Sequence, residues 1–302
     1  MIKVIGEALV DLVISPSGDV MAALGGAPFN TARAAGRLGA DVAFVGALST
    51  DRFGRDLAAA LRADGVDISG APRVDAPTTL AAAELDADGA ATYRFYVEGT
   101  SAPRLDVRPE VAESDVVFTG GLGLVLEPLG SVVEATLAAR PDATVMVDLN
   151  CRPALVDDRS AYEARVERVV ASADIVKASD DDLAYLAPGA PPVDAALRLL
   201  RLGAEVVLVT SGADGVAVVT ADGTSVVPAE PVDVVDTVGA GDTVDGALLA
   251  WLVAHDAFHA GHLSLGLLER AVRAAGVAAG VACTRRGADP PGRSDLGESW
   301  WS

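Results

Sequence analysis

The sequence predicts an α/β fold: a doubly wound, mainly parallel sheet with helices on both faces and a small β-sheet lid. Three observations carry this. After Pro103, short β-prone runs alternate with amphipathic helical runs, the pattern of βαβ units. Hydrophobic residues make up 51% and charged residues 22%, as in a folded globular chain; with aromatics at only 4%, the core must be built from Ala, Val and Leu. Finally, residues 78–85 and 91–97 are two extended runs joined by Asp86-Ala87-Asp88-Gly89, an antiparallel hairpin outside the alternation. Such a hairpin is unstable alone in water, so it must lie on the main body or on a second subunit.

The elements follow in order. Residues 3–6 and 42–48 read as buried strands. Between them, residues 28–38 form a helix with Pro in its first turn and Gly39 as its stop. Residues 52–63 are a second amphipathic helix, closed by Asp64-Gly65. The lid draws on about residues 9–24 and 70–105. Strands are expected at 116–119, 144–149, 175–178 and 205–210, and helices at 128–139, 160–171 and 193–202, with a short helix from Asp180. Residues 216–220 and 224–227 form a second hairpin around Ala221-Asp222-Gly223. Two long helices, 241–254 and 266–282, close the chain as a single domain over 1–302. The tail from Asp289 reads as loosely held, with Trp300-Trp301 packed on something.

The formal net charge is −20, a field that repels nucleic-acid phosphates and anionic lipid heads. Neither nucleic acid nor membrane is therefore an expected partner. The longest apolar runs fall short of the roughly 20 residues of a membrane span. Cys151 and Cys283 make no disulfide framework and no CxxC pair, and the opening residues carry no signal-peptide pattern, so a cytoplasmic protein is expected.

Asp236-Thr237-Val238-Gly239-Ala240-Gly241-Asp242 runs directly into a helix. Small residues allow close approach to the backbone, and the free N–H groups of a helix start suit phosphate. An aspartate in an anion site needs a reason. Asp242 either caps the helix or deprotonates a hydroxyl beside a phosphoryl group, and the local pattern leaves both open. Gly25-Gly26-Ala27-Pro28-Phe29-Asn30 also enters a helix; alone it reads as a glycine-rich loop, although Asn30 offers a donor and an acceptor to a polyhydroxylated ligand. The Gly-x-Gly-x-x-Gly of dinucleotide oxidoreductases is missing after the first strand, and no Walker-type Gly-x4-Gly-Lys-Ser/Thr is present. His255, His259 and His262 have metal-like spacing, but Gly261 breaks their face, and a solvated connector is expected.

Together the two glycine stretches make the chain resemble the ribokinase (PfkB) family of carbohydrate kinases over nearly its whole length. Gly6-Glu7-Ala8-Leu9-Val10-Asp11 is similar to the opening of fructokinase-like members, and Asp148-Leu149-Asn150-Cys151-Arg152-Pro153 to the family's Asp-x-Asn-x-Arg segment. Residues 209–215 resemble its nucleotide-side turn. Residues 282–288 resemble the closing segment beside the adenine and a monovalent-cation site. The resemblance implies a ribokinase-like fold and an ATP-dependent kinase acting on a primary hydroxyl of a small, fructose-like sugar, with Mg²⁺ and a place for K⁺. By it Asp242 is the catalytic base and Gly239, Ala240 and Gly241 hold the transferred phosphoryl. Asp11, Gly25, Gly26, Asn30, Tyr93, Phe95 and Arg152 bind the sugar. Lys177, Thr210, Gly212, Gly215 and Asp236 bind the nucleotide.

The chain departs from the family at Ser179-Asp180-Asp181-Asp182, where relatives carry Asn-x-x-Glu near the metal; a helix cap is the preferred reading there, and the metal ligands stay unassigned. Position 245 is Asp where many relatives have Asn. A 2-keto-3-deoxygluconate (acidic sugar) kinase and a non-catalytic sugar or nucleotide sensor remain alternatives. The lid's exposed aliphatic face predicts a homodimer through the lids.

Overall fold

The computed structural model describes residues 1–86, 91–139, 142–258 and 263–301. The first half contains β1 (Ile2–Ile5), β2 (Leu9–Ile14), β3 (Val20–Gly25), α1 (Ala27–Arg37), β4 (Val42–Val45), β5 (Leu48–Ser49), α2 (Arg52–Ala63), β6 (Arg73–Val74), β7 (Leu80–Leu85) and β8 (Ala91–Tyr96). Then come β9 (Val116–Gly120), α3 (Leu129–Ala138), β10 (Thr144–Asp148), α4 (Arg159–Val170), β11 (Ile175–Ser179), α5 (Asp180–Leu186), α6 (Pro192–Leu202), β12 (Val206–Thr210), β13 (Val216–Thr220), β14 (Gly223–Val227), α7 (Ala240–Ala254), α8 (Leu265–Cys283) and α9 (Arg293–Leu296).

The main sheet has eight strands in the order β14-β13-β12-β11-β10-β9-β1-β4. From β12 to β4 every pairing is parallel; β13 and β14 are antiparallel. Successive strand residues feed opposite cores, because side chains alternate across a sheet. Ile2, Val4, Phe44, Phe118, Met146 and Leu208 join one cluster, with α1, α2, α7 and α8. Ile5, Val45, Val117, Val147, Val176 and Val209 join the other, with α3, α4 and α6. Both faces are covered, as parallel sheets require.

A second sheet, β3-β2-β7-β8, stands apart from the first. β7 and β8 pair antiparallel, Ala82 opposite Arg94, as the hairpin reading requires; its turn, around Ala87-Asp88-Gly89, lies outside the described residues. Asp51 caps α2 by accepting the Gly54 N–H (2.8 Å), and its other oxygen takes the Thr78 N–H (2.7 Å). One carboxylate thus ends one element and anchors the approach to another.

Three expectations need correcting. Residues 42–48 are not one strand: the run stops at Val45, and Gly46 packs against the Gly6 backbone, where a side chain would collide. The tail is not loose. Arg37 pairs with Asp289 (2.5 Å), Arg285 with Asp295 (3.0 Å), and the buried Trp300 donates from Nε1 to Ala274 O (2.6 Å). His255 is also more than a solvated connector, since its ring stacks on Trp251 at 3.6 Å; His259 and His262 lie outside the described residues.

The small-residue core matters for the site. Gly246 of α7 sits so close to α1 that a Cβ there would come within 2.6 Å of Ala34 Cβ. This approach brings Asn30, near the start of α1, against Asp242, near the start of α7.

Candidate active site

Chain order places β4 on one side of β1 and β9 on the other, so connections diverge at β1. In an open α/β sheet the crevice beyond the strand C-termini at such a switch is where ligands bind. A cavity of about 690 Å³ lies there. Its wall takes Glu7 from beyond β1, Leu122 from beyond β9, Asp148, Asn150 and Arg152 at the end of β10, Lys177 and Ser179 from β11, and Thr210 from β12. The second sheet adds Leu9, Asp11, Ala81, Tyr93 and Phe95 from one side. Gly26 and Asn30 come from the start of α1, and Gly239, Gly241 and Asp242 from the start of α7.

Residues from both ends of the sequence therefore meet. Asn30 Nδ2 donates to Asp242 Oδ2 at 2.9 Å. Gly239 has φ 75, a left-handed conformation, and a Cβ there would lie 2.6 Å from Ala288 Cβ, so only glycine suits this turn. The Gly239 carbonyl accepts from both the N–H and the hydroxyl of Thr243, each at 2.8 Å, which fixes the turn. Gly26 has φ 107, and a Cβ there would sit 2.9 Å from Glu7 O.

Five residues expected at the site are off the wall. Gly25 backs it, since a side chain there would collide with the Asp11 carboxylate. The Ala240 N–H already donates to Thr237 O (3.1 Å). Gly212 and Gly215 form the turn between β12 and β13. Asp236 accepts from Val238 N (3.0 Å) and Gly287 N (2.8 Å), tying the glycine turn to the closing segment. Ser179 and Asp182 form the capping box expected of them, and the second Asp182 oxygen takes the Cys151 N–H at 2.6 Å.

Sequence reasoning passed over Glu7, Asp148 and Asp245. Glu7 is 2% exposed, and burial pushes its carboxyl up to about 7. Its signal was its place, a carboxylate immediately beyond the first strand. Burial, and then the neighbouring Asp242, raise Asp11 to about 6. Burial raises Asp242 to about 6 against the opposing Asn30 hydrogen bond, with Asp148 pushing it up and Lys177 and Arg152 pulling it down. Arg152 Nη1 donates to the carbonyls of Asn150 (3.1 Å) and Cys151 (3.0 Å), so part of its guanidinium is held by its own loop.

Among the described residues one group of acidic side chains is close enough to share a metal ion: Asp148, Asp242 and Asp245, with an oxygen of each within 4.8 Å of the others. Lys177 Nζ lies 2.9 Å from Asp148 and 3.3 Å from Asp245, where a cation would sit. As arranged, these carboxylates do not fit a divalent ion.

Fold and cavity define a ribokinase-like protein, and the comparisons agree. The pfkB family carbohydrate kinase profile matches residues 1–294, and the chain belongs to that family. It is 38% identical over 261 residues to a fructokinase of Rhizobium leguminosarum bv. trifolii, covering 83% of this chain and 79% of that one. Its structure is similar to that of aminoimidazole riboside kinase from Salmonella enterica complexed with aminoimidazole riboside and an ATP analog (TM-score 0.88, 27% identity, 100% and 99% of the two chains). It is also similar to a fructokinase from Vibrio cholerae O395 in fructose, ADP and calcium ion bound form (TM-score 0.85, 27% identity, 98% and 95%).

Proposed function

We propose that this protein is an ATP-dependent sugar kinase that transfers the γ-phosphate to a primary hydroxyl of a small neutral sugar, fructose-like in shape. The observation that carries the reading is Asp242. It is a carboxylate on the cavity wall, held by Asn30 at 2.9 Å in the first turn of α7, where backbone N–H groups point at an incoming anion. The fructokinase relatives support the sugar class.

In this mechanism Asp242 takes the proton of the primary hydroxyl as that oxygen attacks the γ-phosphorus. The new P–O bond forms as the bond to the β–γ bridging oxygen breaks, and ADP leaves with that electron pair. Gly239 and Gly241, on the wall, offer N–H groups to the charge that develops on the phosphoryl, with Ala240 holding the turn between them. Asn30 orients the Asp242 carboxylate. Asp11 and Glu7 accept hydrogen bonds from sugar hydroxyls, Tyr93 and Phe95 cover the ring, and Arg152 and Thr210 face the phosphates, while the Lys177 ammonium expected there is paired with Asp148 and Asp245 instead. A Mg²⁺ ion bound with the nucleotide would offset phosphate charge; the Asp148–Asp242–Asp245 cluster, already filled by the Lys177 ammonium, would not hold it. K⁺ beside residues 282–288 stays an expectation of the resemblance.

Of the five carboxylates on the wall, Glu7, Asp11 and Asp242 all feel the charge of Arg152, the one arginine there, and this excess of negative charge weighs against an acidic sugar. The sheet β3-β2-β7-β8 supplies the wall opposite the nucleotide side, and we assign it the role of a lid that excludes water. Val20 (60% exposed) and Met21 (62%) on its edge strand support pairing with a second copy. The free thiols Cys151 and Cys283 accord with the cytoplasm, where we place the protein. Among the described residues no helix is long and apolar enough to cross a membrane.

The test is coupled ADP release over fructose, other ketoses and aldoses, 2-keto-3-deoxygluconate and aminoimidazole riboside. The highest kcat/KM is expected with a fructose-like ketose. Binding of sugar without turnover of any would replace the kinase with a sensor.

A further inference from the structure

The cluster behind the glycine turn has a charge problem that the phosphoryl-transfer mechanism leaves unanswered. Asp148 ends β10, and the parallel register sets it opposite Lys177 of β11. Asp245 lies one helical turn beyond Asp242 on the same face of α7. Asp148 is 2% exposed, Asp245 fully buried and Lys177 4% exposed. Neither oxygen of Asp245 accepts a hydrogen bond. Buried anions this close demand a cation or protons, and a metal ion is the usual answer for an all-oxygen set. Here the Lys177 ammonium fills that position, 2.9 Å from Asp148 and 3.3 Å from Asp245. The ammonium lies directly beneath the catalytic turn, 3.6 Å from where a Cβ at Gly241 would stand, an ordinary contact distance.

We propose that Lys177 is a built-in cation holding the Asp148–Asp242–Asp245 cluster in place of a metal ion, and that its charge keeps Asp242 ionised for the sugar hydroxyl. Lys177 is a positioning residue in this role, and its ammonium is engaged before any nucleotide arrives. Although burial disfavours its charge, Asp148 and Asp245 more than compensate and hold it cationic. Burial pushes Asp245 well above the usual carboxylate range despite Lys177, so a proton on Asp245 relieves the remaining negative charge. The groups facing Lys177 are thus Asp148 from β10, with Asp242 and Asp245 from α7; Arg152 bears on the same Asp242 from beyond β10.

Asp242's part in this rests on the kinase reading; the metal exclusion does not, so the experiment separates them. Mn²⁺ is titrated without nucleotide and followed by electron paramagnetic resonance, on wild type, D245N, K177R, K177M and K177M/D245N, with circular dichroism to verify folding. Wild type is expected to show no tight site. K177M gains one, because three carboxylates lose their cation, and K177M/D245N loses it again. In turnover, the acid limb of kcat/KM for sugar moves up by about 1–3 pH units in K177M, the range for removing an opposite charge at this distance. K177R keeps the wild-type position. A wild-type Mn²⁺ site that D245N abolishes overturns the proposal, even where K177M does not fold. So does a folded K177M with no added Mn²⁺ site or with an unmoved acid limb. Absence of ADP release with any sugar refutes the kinase reading and leaves the Mn²⁺ result to stand by itself.

Discussion

Asp242→Asn removes a proton acceptor and little else. The side chain keeps its shape, and an amide oxygen can still accept from Asn30 Nδ2, now 2.9 Å from Oδ2. What is lost is the base, worth roughly 10²–10⁴ in rate, or about 3–6 kcal/mol at about 1.4 kcal/mol per decade. The structure points to the upper part of that range. A carboxyl raised to about 6 sits close to working pH, where a base combines ionisation with proton affinity. The wild-type profile follows from the same value: at pH 8 about 99% of Asp242 is ionised and at pH 5 about a tenth, so kcat/KM for sugar, which reports the free enzyme, should fall about tenfold between them. The assay is coupled ADP release at varied sugar from pH 5 to 9, with sugar affinity measured by calorimetry. Turnover of the variant within tenfold of wild type at pH 8 would refute the base assignment. A collapse of sugar affinity matching the loss of rate would make Asp242 a binding residue instead.

Three further outcomes follow. Glu7, raised from 4.5 to about 7, is protonated in the folded state where the unfolded chain has released its proton; its burial therefore costs nothing below pH 4.5 and grows to about 3 kcal/mol above pH 7. Glu7→Gln should gain up to that amount in urea-denaturation stability at pH 8 relative to its effect at pH 4.5, a difference that cancels any change in packing; an equal effect at both pH values rejects the burial account. Gly25→Ala should displace the Asp11 carboxylate and raise the sugar KM roughly 10–100-fold, the loss of a hydrogen bond to a charged group, while the ATP KM holds; an unaltered sugar KM removes Asp11 from the sugar site. Light scattering at micromolar concentration should show a dimer that Met21→Glu splits, and a wild-type monomer rules out pairing through the second sheet.

Much of the fold was legible because local chemistry and global packing agree. The helix at 52–63 has the expected bounds because Asp51 starts it and Asp64-Gly65 stops it. The cap at Ser179 was readable from four consecutive residues. The site divides differently. The pairing of Asn30 with Asp242 spans most of the chain, and only the resemblance pointed to it; the structural cause is an Ala- and Gly-lined seam between α1 and α7, which has no periodic signature at either end. Glu7 and Asp245 stand out in the sequence by position alone, and their roles were hidden for a related reason. Whether a carboxylate is solvated or buried depends on segments remote in sequence: Leu122 and Arg152 for Glu7, Lys177 and Asp148 for Asp245. The tail misled because its polar composition resembles a free end, while its Asp289 and Asp295 are paired with Arg37 of α1 and with Arg285.

The electrostatics of the cavity constrain what it can accept. Glu7, Asp11 and Asp242 are all raised by burial, and Asp242 adds its own repulsion to the other two, so this region carries more negative charge than it can solvate. A triphosphate brings more. The first N–H groups of α7 and the guanidinium of Arg152 meet part of that charge, while Lys177 is already committed to Asp148 and Asp245. A sugar acid would compete with the phosphates for Arg152, whereas a neutral polyol brings hydroxyl donors to Asp11 and Glu7 and stabilises their ionised forms without adding charge. The same carboxylates that make the cavity inhospitable to an acidic sugar therefore become hydrogen-bond acceptors for a neutral one. In the proposed reading, specificity against acids needs no dedicated residue: it arises from placing one buried and two half-buried carboxylates around one partly engaged arginine.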